Sequence, residues 1–193
     1  MTADEDLQTA RSRPDDVLAA VLEDHAEIKR RFARVGSASG DARAQAFRDL
    51  VHLLIVHETA EQEVLRPLTR QADGGDDVVS DRLEEEKASE IALDRMMSMD
   101  VDSDEFATAL AQLEAEVIDH AQHEESDEFP LIEQAVDADT LKSLAGVFRA
   151  AERVAPTRPH PTSPTSAIGN LAVGPFAAIA DRARDAMARV RGS

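Results

Sequence analysis

The chain has 193 residues, of which 42% are apolar and 3% aromatic, and it contains no Trp, Tyr or Cys. That length suffices for one folded domain of ordinary size with an appendage, and the abundant Ala, Leu, Glu and Arg favour helix. The absence of Cys and Tyr excludes disulfides, thiolate metal ligands and phenolate metal ligands. Lys and Arg number 21 against 39 Asp and Glu, so the formal net charge is −18, which disfavours binding to nucleic acid or anionic lipid.

The N-terminal residues are polar and mixed in charge, without the apolar core that a signal peptide needs. No apolar stretch approaches the length of a membrane span. We therefore expect a cytoplasmic protein that binds neither membranes nor nucleic acid.

Turn and cap residues divide residues 15–153 into five predicted helices, after a polar leader at 1–14. Pro14 with two following acids predicts the start of the first helix, which ends at 36–40. Asp41 is predicted to cap the second, which runs to a break at 72–75. The third begins near Asp76 or Asp77. Ser103 or Asp104 caps the fourth, and a shorter fifth follows at about 139–153.

These helices predict an all-α fold, an up-down four-helix bundle with a short fifth helix. Residues 154–172 contain a proline-rich segment that predicts an extended linker. Residues 173–193 predict an amphipathic tail helix that either folds back on the bundle or joins two copies. The protein is accordingly expected to be a monomer or a homodimer.

The sequence repeats itself at a spacing of 63 residues, which superimposes the second predicted helix on the fourth. The superimposed pairs include His57 on His120, Glu61 on Glu124 and Pro67 on Pro130. Both helices therefore carry the pattern HxxxE followed six residues later by Pro. A shift of 65 residues relates the first and third helices and places His25 on Glu90.

Residues four apart lie on one helix face, so each HxxxE pair presents an imidazole beside a carboxylate on the apolar stripe. A buried, isolated carboxylate is costly and requires a positive partner. The nearest basic residues are Arg66, Lys87 and Arg95, which the helical periodicity places off this face or more than a turn away. The pattern therefore indicates a bound metal ion, and these ligand types suit iron, manganese or zinc.

Two more predicted helices contribute candidate ligands, His25 from the first and Glu86 and Glu90 from the third. The full candidate set exceeds what one ion can use and favours two metal ions. It comprises His25, His57, Glu61, Glu86, Glu90, His120 and Glu124.

Each of these residues also has a purely structural interpretation. A single His on an apolar face is commonly a hydrogen-bonded core residue, and HxxxE arises by chance in a Glu-rich chain; its repetition at matching depth favours metal. Glu86 fits three roles: a ligand, an acceptor behind a ligand, or part of a solvated acidic run. The remaining histidines, His52, His123 and His160, are expected to be exposed or to pack outside the site.

Residues 24–28, 57–67 and 120–130 resemble the hemerythrin-like HHE cation-binding domain, with the resemblance covering about 15–135. It implies two non-haem iron ions with carboxylate or oxo bridges, favoured over manganese or zinc, and a small ligand such as dioxygen, hydrogen peroxide or nitric oxide. The linker and tail look similar to those of actinobacterial members. Hemerythrins proper carry histidines on the third helix, where this chain has Glu86 and Glu90. Ferritin-like proteins use Glu-x-x-His spacing, which the ligand helices here lack.

We expect from this resemblance a protein that binds, senses or scavenges such ligands, with Glu61 and Glu124 as bridges and the three histidines as terminal ligands. An alternative is a catalase-like, peroxide-decomposing enzyme. A third interpretation is a metal-free scaffold that docks a partner through the linker and tail.

Overall fold

The computed structural model of this protein describes residues 2–153, so the predicted linker and tail helix lie outside the described residues. The described part contains helices and no strand, which confirms the all-α prediction. The helices are α1 Ala3–Ser12, α2 Val17–Ser37, α3 Gly40–Val64, α4 Arg66–Thr69, α5 Gly75–Met96, α6 Asp104–His123, α7 Phe129–Ala135 and α8 Ala138–Glu152, with a π-helical turn at Glu124–Glu128.

The long helices α2, α3, α5 and α6 form the bundle, and local side chains fix where they begin. Asp16 accepts a hydrogen bond from the Ala19 amide and caps α2, and Ser103 caps α6 in the same way. The predicted cap Asp41 instead lies in the first turn of α3, which begins at Gly40 after Ser39. Gly40 has a φ of 56°, a conformation that glycine adopts at little cost.

The first residues, predicted only as a polar leader, form helix α1. Thr2 and Glu5 form a reciprocal capping box that begins α1. On its inner face Asp6 is fully buried and lies 2.6 Å from the Lys29 ammonium group on α2. This ion pair and the apolar contacts of Ala10 attach α1 to the bundle.

The apolar core is divided into two clusters, with a band of buried polar residues between them. Along α2 the first cluster contains Val17 to Leu22 and the second begins at Ile28. His25 lies between them, and His57 on α3 occupies the equivalent gap. The two clusters therefore enclose a polar layer in the middle of the bundle.

Two prolines mark the points where regular α-helix is interrupted at this layer. Helix α3 ends at Val64, and α4 starts at Arg66 with Pro67 in its first turn. In the repeated pattern, Pro130 lies in the first turn of α7, directly after the π-helical turn. Proline supplies no backbone donor and obstructs the preceding turn, and π-helical turns are frequent at functional sites.

No helix in residues 2–153 has the length and apolar character required to cross a bilayer.

Helix α8 belongs to the core of the bundle through Phe148, which is fully buried in the first apolar cluster. We expect Phe148→Ala to lower the free energy of unfolding of the metal-free protein by about 3–5 kcal/mol, because it leaves a cavity. Chemical denaturation followed by circular dichroism measures this loss. Met97→Ala is the control, because Met97 is half exposed and should change stability by less than about 0.5 kcal/mol. A loss below about 1 kcal/mol for Phe148→Ala would show that α8 is not part of the core.

Candidate metal centre

Three helices bring three buried histidines together in the polar layer: His25 on α2, His57 on α3 and His120 on α6. The ring centroids of His25 and His57 are 5.2 Å apart, with the rings at 77° to each other. The three imidazoles therefore border one small volume between α2, α3 and α6.

The Nε2 atom of each histidine faces a central glutamate. Glu124 lies between two of them, with Oε2 3.2 Å from His25 Nε2 and Oε1 3.1 Å from His120 Nε2. Glu61 Oε1 lies 3.4 Å from His57 Nε2. Both glutamates are fully buried.

In the part of the chain that the structure describes, two groups of side chains present their ligand atoms closely enough to hold a metal ion. The first is His25, His57, Glu61 and Glu124, and the second is Glu58, Glu61 and His120; within each group the ligand atoms lie within 4.8 Å of one another. Glu61 belongs to both groups, so the two candidate positions are adjacent.

The residues fit a metal because the buried atoms facing this volume lack hydrogen-bond partners within residues 2–153. They include Nε2 of His25 and His120, Oε1 of Glu61, and Oε2 of Glu58 and Glu124. Buried polar atoms without partners are costly and rare, and here imidazole nitrogens and carboxylate oxygens are gathered in one place. A cation at this point would satisfy all of them.

A carboxylate lies behind each histidine on the side away from the centre. Glu125 is 2.9 Å from Nδ1 of His25, and Glu85 is 2.7 Å from Nδ1 of His120. Asp24 lies 3.6 Å from Nδ1 of His57, beyond hydrogen-bond distance. Such outer carboxylates fix the ring orientation of metal-binding histidines and leave Nε2 free as the ligand.

Helix α8 completes the surroundings of His57. Arg149 donates a hydrogen bond of 2.7 Å to Asp24 Oδ1, and the Phe148 ring packs edge-on against His57 with centroids 6.3 Å apart. Burial disfavours ionisation of Asp24, but His57 and Arg149 outweigh it and lower the pKa of this carboxyl. Asp24 is therefore held as an anion beside His57.

The structure overturns the expectation that no basic residue reaches the buried acids. Arg66 is 2% exposed, and Nη2 lies 2.6 Å from both Glu86 and Glu124 and 3.3 Å from Glu61. In an uninterrupted α-helix, positions five apart differ by about 140° around the axis, so Arg66 would face away from Glu61. The break between α3 and α4 removes that constraint. Lys87 and Arg95 pair instead with Glu90 and Glu105 on the outside of the bundle.

Of the seven predicted ligands, five lie in the two groups and two do not. Glu86 is buried, but its oxygens accept hydrogen bonds from Arg66 and from the Gln62 side chain. Glu90 is partly exposed and lies 2.8 Å from the Lys87 ammonium group.

Glu58 was missed by the sequence analysis. It follows His57 directly, and the 63-residue repeat places it on Ala121, so the repeat gave no reason to single it out. The available signal was its spacing of three from Glu61, which brings both carboxylates to neighbouring positions on α3.

The remaining histidines lie outside both groups. His52 is exposed on α3. His123 is 39% exposed in its side chain, with Nδ1 3.0 Å from Glu85. His160 lies outside the described residues.

Without metal, protons neutralise much of this layer. Burial opposes protonation of His25, but the neighbouring carboxylates of Glu124 and Glu125 outweigh it and raise its pKa to about 9. For His120, Glu124 and Glu58 overcome burial and raise the pKa well above the usual range. Burial and the neighbouring Glu124 raise the pKa of Glu61 well above its ordinary value.

Two carboxyls that lie 2.6 Å from Arg66 have pKa values shifted in opposite directions. Burial opposes ionisation of Glu124, but His120 and Arg66 hold its pKa well below the ordinary value. Burial raises the pKa of Glu86 to about 7 against the opposing effect of Arg66. A cation that entered the centre would therefore displace protons from imidazoles and from carboxyls.

A small cavity of about 10 Å³ adjoins the three histidines and Glu58. The rest of its lining is mainly apolar: Ile28, Val117, Ile118, Ala121 and the side chain of Lys29. This is about the space that one water-sized molecule occupies.

Comparison with known proteins agrees with this geometry. Residues 16–132, more than half of the chain, match the hemerythrin HHE cation binding domain family. An uncharacterized hemerythrin-like protein of Schizosaccharomyces pombe is 26% identical over 172 residues, which cover 87% of this chain and 84% of that protein. No solved structure matches the chain. Residues 16–132, which match the family, contain all the histidines and glutamates of both groups. The chain therefore belongs to the hemerythrin HHE cation-binding domain family.

Proposed function

We propose that this protein binds two iron ions in the polar layer and, beside them, a small uncharged ligand such as dioxygen, hydrogen peroxide or nitric oxide. The observation that carries the proposal is the convergence of unpartnered imidazole and carboxylate atoms from α2, α3, α6 and the π-helical turn. Membership in a cation-binding family and the mixed imidazole and carboxylate ligands support iron.

Two ions are supported by the two ligand groups and by charge. The central carboxylates are Glu58, Glu61, Glu86, Glu124 and Glu128. Two divalent cations together with Arg66 carry five positive charges, which balance these five carboxylates when all are ionised. Glu61 belongs to both groups, and the two oxygens of Glu124 face different histidines, so these two residues would help to hold both ions.

The chain's own residues would orient the ligands and hold the protons. Glu125 and Glu85 accept the Nδ1 protons of His25 and His120, which directs each Nε2 lone pair toward the centre. Asp24, held by Arg149, lies on the Nδ1 side of His57 at 3.6 Å, beyond hydrogen-bond distance. The two apolar clusters on either side of the layer exclude water from it.

The cavity beside the histidines supports the choice of ligand. Its volume of about 10 Å³, the space of about one water molecule, restricts the ligand to very small molecules, and its lining of Val117, Ile118 and Ala121 disfavours a charged one. Iron, when bound, would supply the Lewis acidity and redox chemistry that such ligands require.

Metal content tests the central claim. We expect the wild-type protein, loaded anaerobically with ferrous iron and desalted, to retain two equivalents of iron per chain. His57→Ala and Glu61→Ala should each retain fewer, because each removes a ligand from the first group. Elemental analysis measures the content. His52→Ala is the matched control on the same helix and should retain two equivalents, since His52 is exposed. Failure of the wild-type protein to take up iron, manganese or zinc would falsify the proposed function.

Metal affinity should depend on pH, because the imidazoles must lose protons. The folded pKa of His25, about 9, lies above the ordinary 6.5, so its protonated form stabilises the metal-free fold below about pH 6.5. That stabilisation is lost as the pH rises through about 9. We expect the metal association constant to rise at least about tenfold per pH unit between about pH 6 and about pH 8. Competition with a chelator of known affinity measures it, and a pH-independent constant would contradict the protonation scheme.

Filling the cavity should separate ligand binding from metal binding. Ala121→Leu adds volume to the cavity wall, so we expect unchanged iron content but at least a tenfold weaker binding of nitric oxide, about 1.4 kcal/mol. Absorption spectra of the ferrous protein during titration measure the binding. Ala115→Leu, on the exposed face of the same helix, is the control. Equal nitric oxide affinity in the two variants would show that the ligand binds elsewhere.

A further inference from the structure

Arg66 contacts four glutamates that come from three different parts of the fold. Its guanidinium group lies against Glu61 on α3, Glu86 on α5, and Glu124 and Glu128 in the π-helical turn. All five side chains are buried. Arginine stays charged at any pH that the fold survives, so this is a permanent positive charge inside the polar layer.

In both Glu61 and Glu124, Arg66 contacts only one of the two carboxylate oxygens. Arg66 lies 3.3 Å from Oε2 of Glu61, whereas Oε1 of Glu61 has no hydrogen-bond partner among the described residues and faces His57. In Glu124, Oε1 lies 2.6 Å from Arg66 and 3.1 Å from His120 Nε2, whereas Oε2 faces His25 and is likewise without a partner within residues 2–153. Arg66 thus holds one oxygen of each carboxylate, while both carboxylates keep an oxygen directed at a histidine.

The other two glutamates are fully engaged away from the metal groups. Glu86 receives hydrogen bonds from Arg66 Nε and Nη2 on one oxygen and from Gln62 on the other. Glu128 receives bonds from Arg66 and from the Thr69 hydroxyl. Neither residue belongs to a metal-binding group among residues 2–153.

We propose that Arg66 is a positioning residue that acts as the resident cation of the centre: it sets Glu61 and Glu124 in place before metal binds, with Glu86 as its counter-ion rather than a metal ligand. Helix α5 then supplies charge balance, and the metal ligands come from α2, α3, α6 and the π-helical turn. Only the metal-loading arm of the test below rests on the proposed function.

Thermal unfolding of the metal-free protein tests the pairing. Arg66→Gln leaves buried carboxylates without their cation and should lower the melting temperature by about 10 °C. Glu86→Gln should also lower it, but the double variant should lose clearly less than the sum of the single losses, because part of the cost of Arg66→Gln is the unpaired charge that it leaves on Glu86. The matched control is Arg70→Gln, at the C-cap of the same short helix and 45% exposed in its side chain, which should shift the melting temperature by no more than about 2 °C.

Additive losses in the double variant, or an Arg66→Gln melting temperature within about 2 °C of wild type, would overturn the proposal. If Arg66→Gln does not fold, Arg66→Lys takes its place in the comparison of single and double variants. It keeps the charge but cannot reach four carboxylates at once, so an intermediate loss is expected. A lysine variant as stable as wild type would equally overturn the proposal.

The metal-loading arm distinguishes counter-ion from ligand. Glu86→Gln should retain the same iron content as wild type, measured by elemental analysis, whereas loss of iron would show that Glu86 is a ligand. Added metal should raise the melting temperature of Arg66→Gln by more than that of wild type, because the unpaired carboxylates then depend on the bound cation. Suppose that neither the wild type nor any variant takes up metal, but that the losses in melting temperature of the metal-free variants are less than additive. In that case the proposed function fails and the role of Arg66 stands.

Discussion

Carboxylates buried between two apolar clusters must be matched by positive charge, and the rest of this structure depends on how that match is achieved. Three sources are available in the polar layer: the guanidinium group of Arg66, protons on the imidazoles and carboxyls, and a metal cation. The positive charge of the arginine is permanent, whereas protons and metal compete for the same nitrogen and oxygen atoms. The centre can therefore exchange protons for cations while its net charge changes little.

Much of this arrangement could be predicted from periodicity. Apolar residues at helical spacing indicated the four bundle helices and the later helix α8, and the repeat singled out His57, Glu61, His120 and Glu124, which all lie in the candidate groups. Such patterns are readable because a side chain on a regular helix points in a direction that its position alone determines. The capping box of Thr2 and Glu5 was also readable, and it would have predicted α1.

The parts that could not be predicted lie where the helices stop being regular. Pro67 indicated an interruption, but the direction in which Arg66 turns depends on Glu86 and Glu124, which lie on other helices. Similarly, the π-helical turn adds a residue to the helical repeat and brings Glu128 into the layer. Glu58 and Glu86 sit on regular helices, but their roles depend on contacts between helices that a single stripe does not encode.

The contact between α8 and His57 has a consequence for how the domain is delimited. The match to the family ends at residue 132, yet Arg149 and Phe148, from beyond that limit, are the residues that hold Asp24 and pack on the imidazole. A polypeptide trimmed to the conventional borders would keep every candidate metal ligand and still lose the support of one of them. In this protein the surroundings of the candidate metal centre therefore extend beyond the family boundary, into the helix Ala138–Glu152.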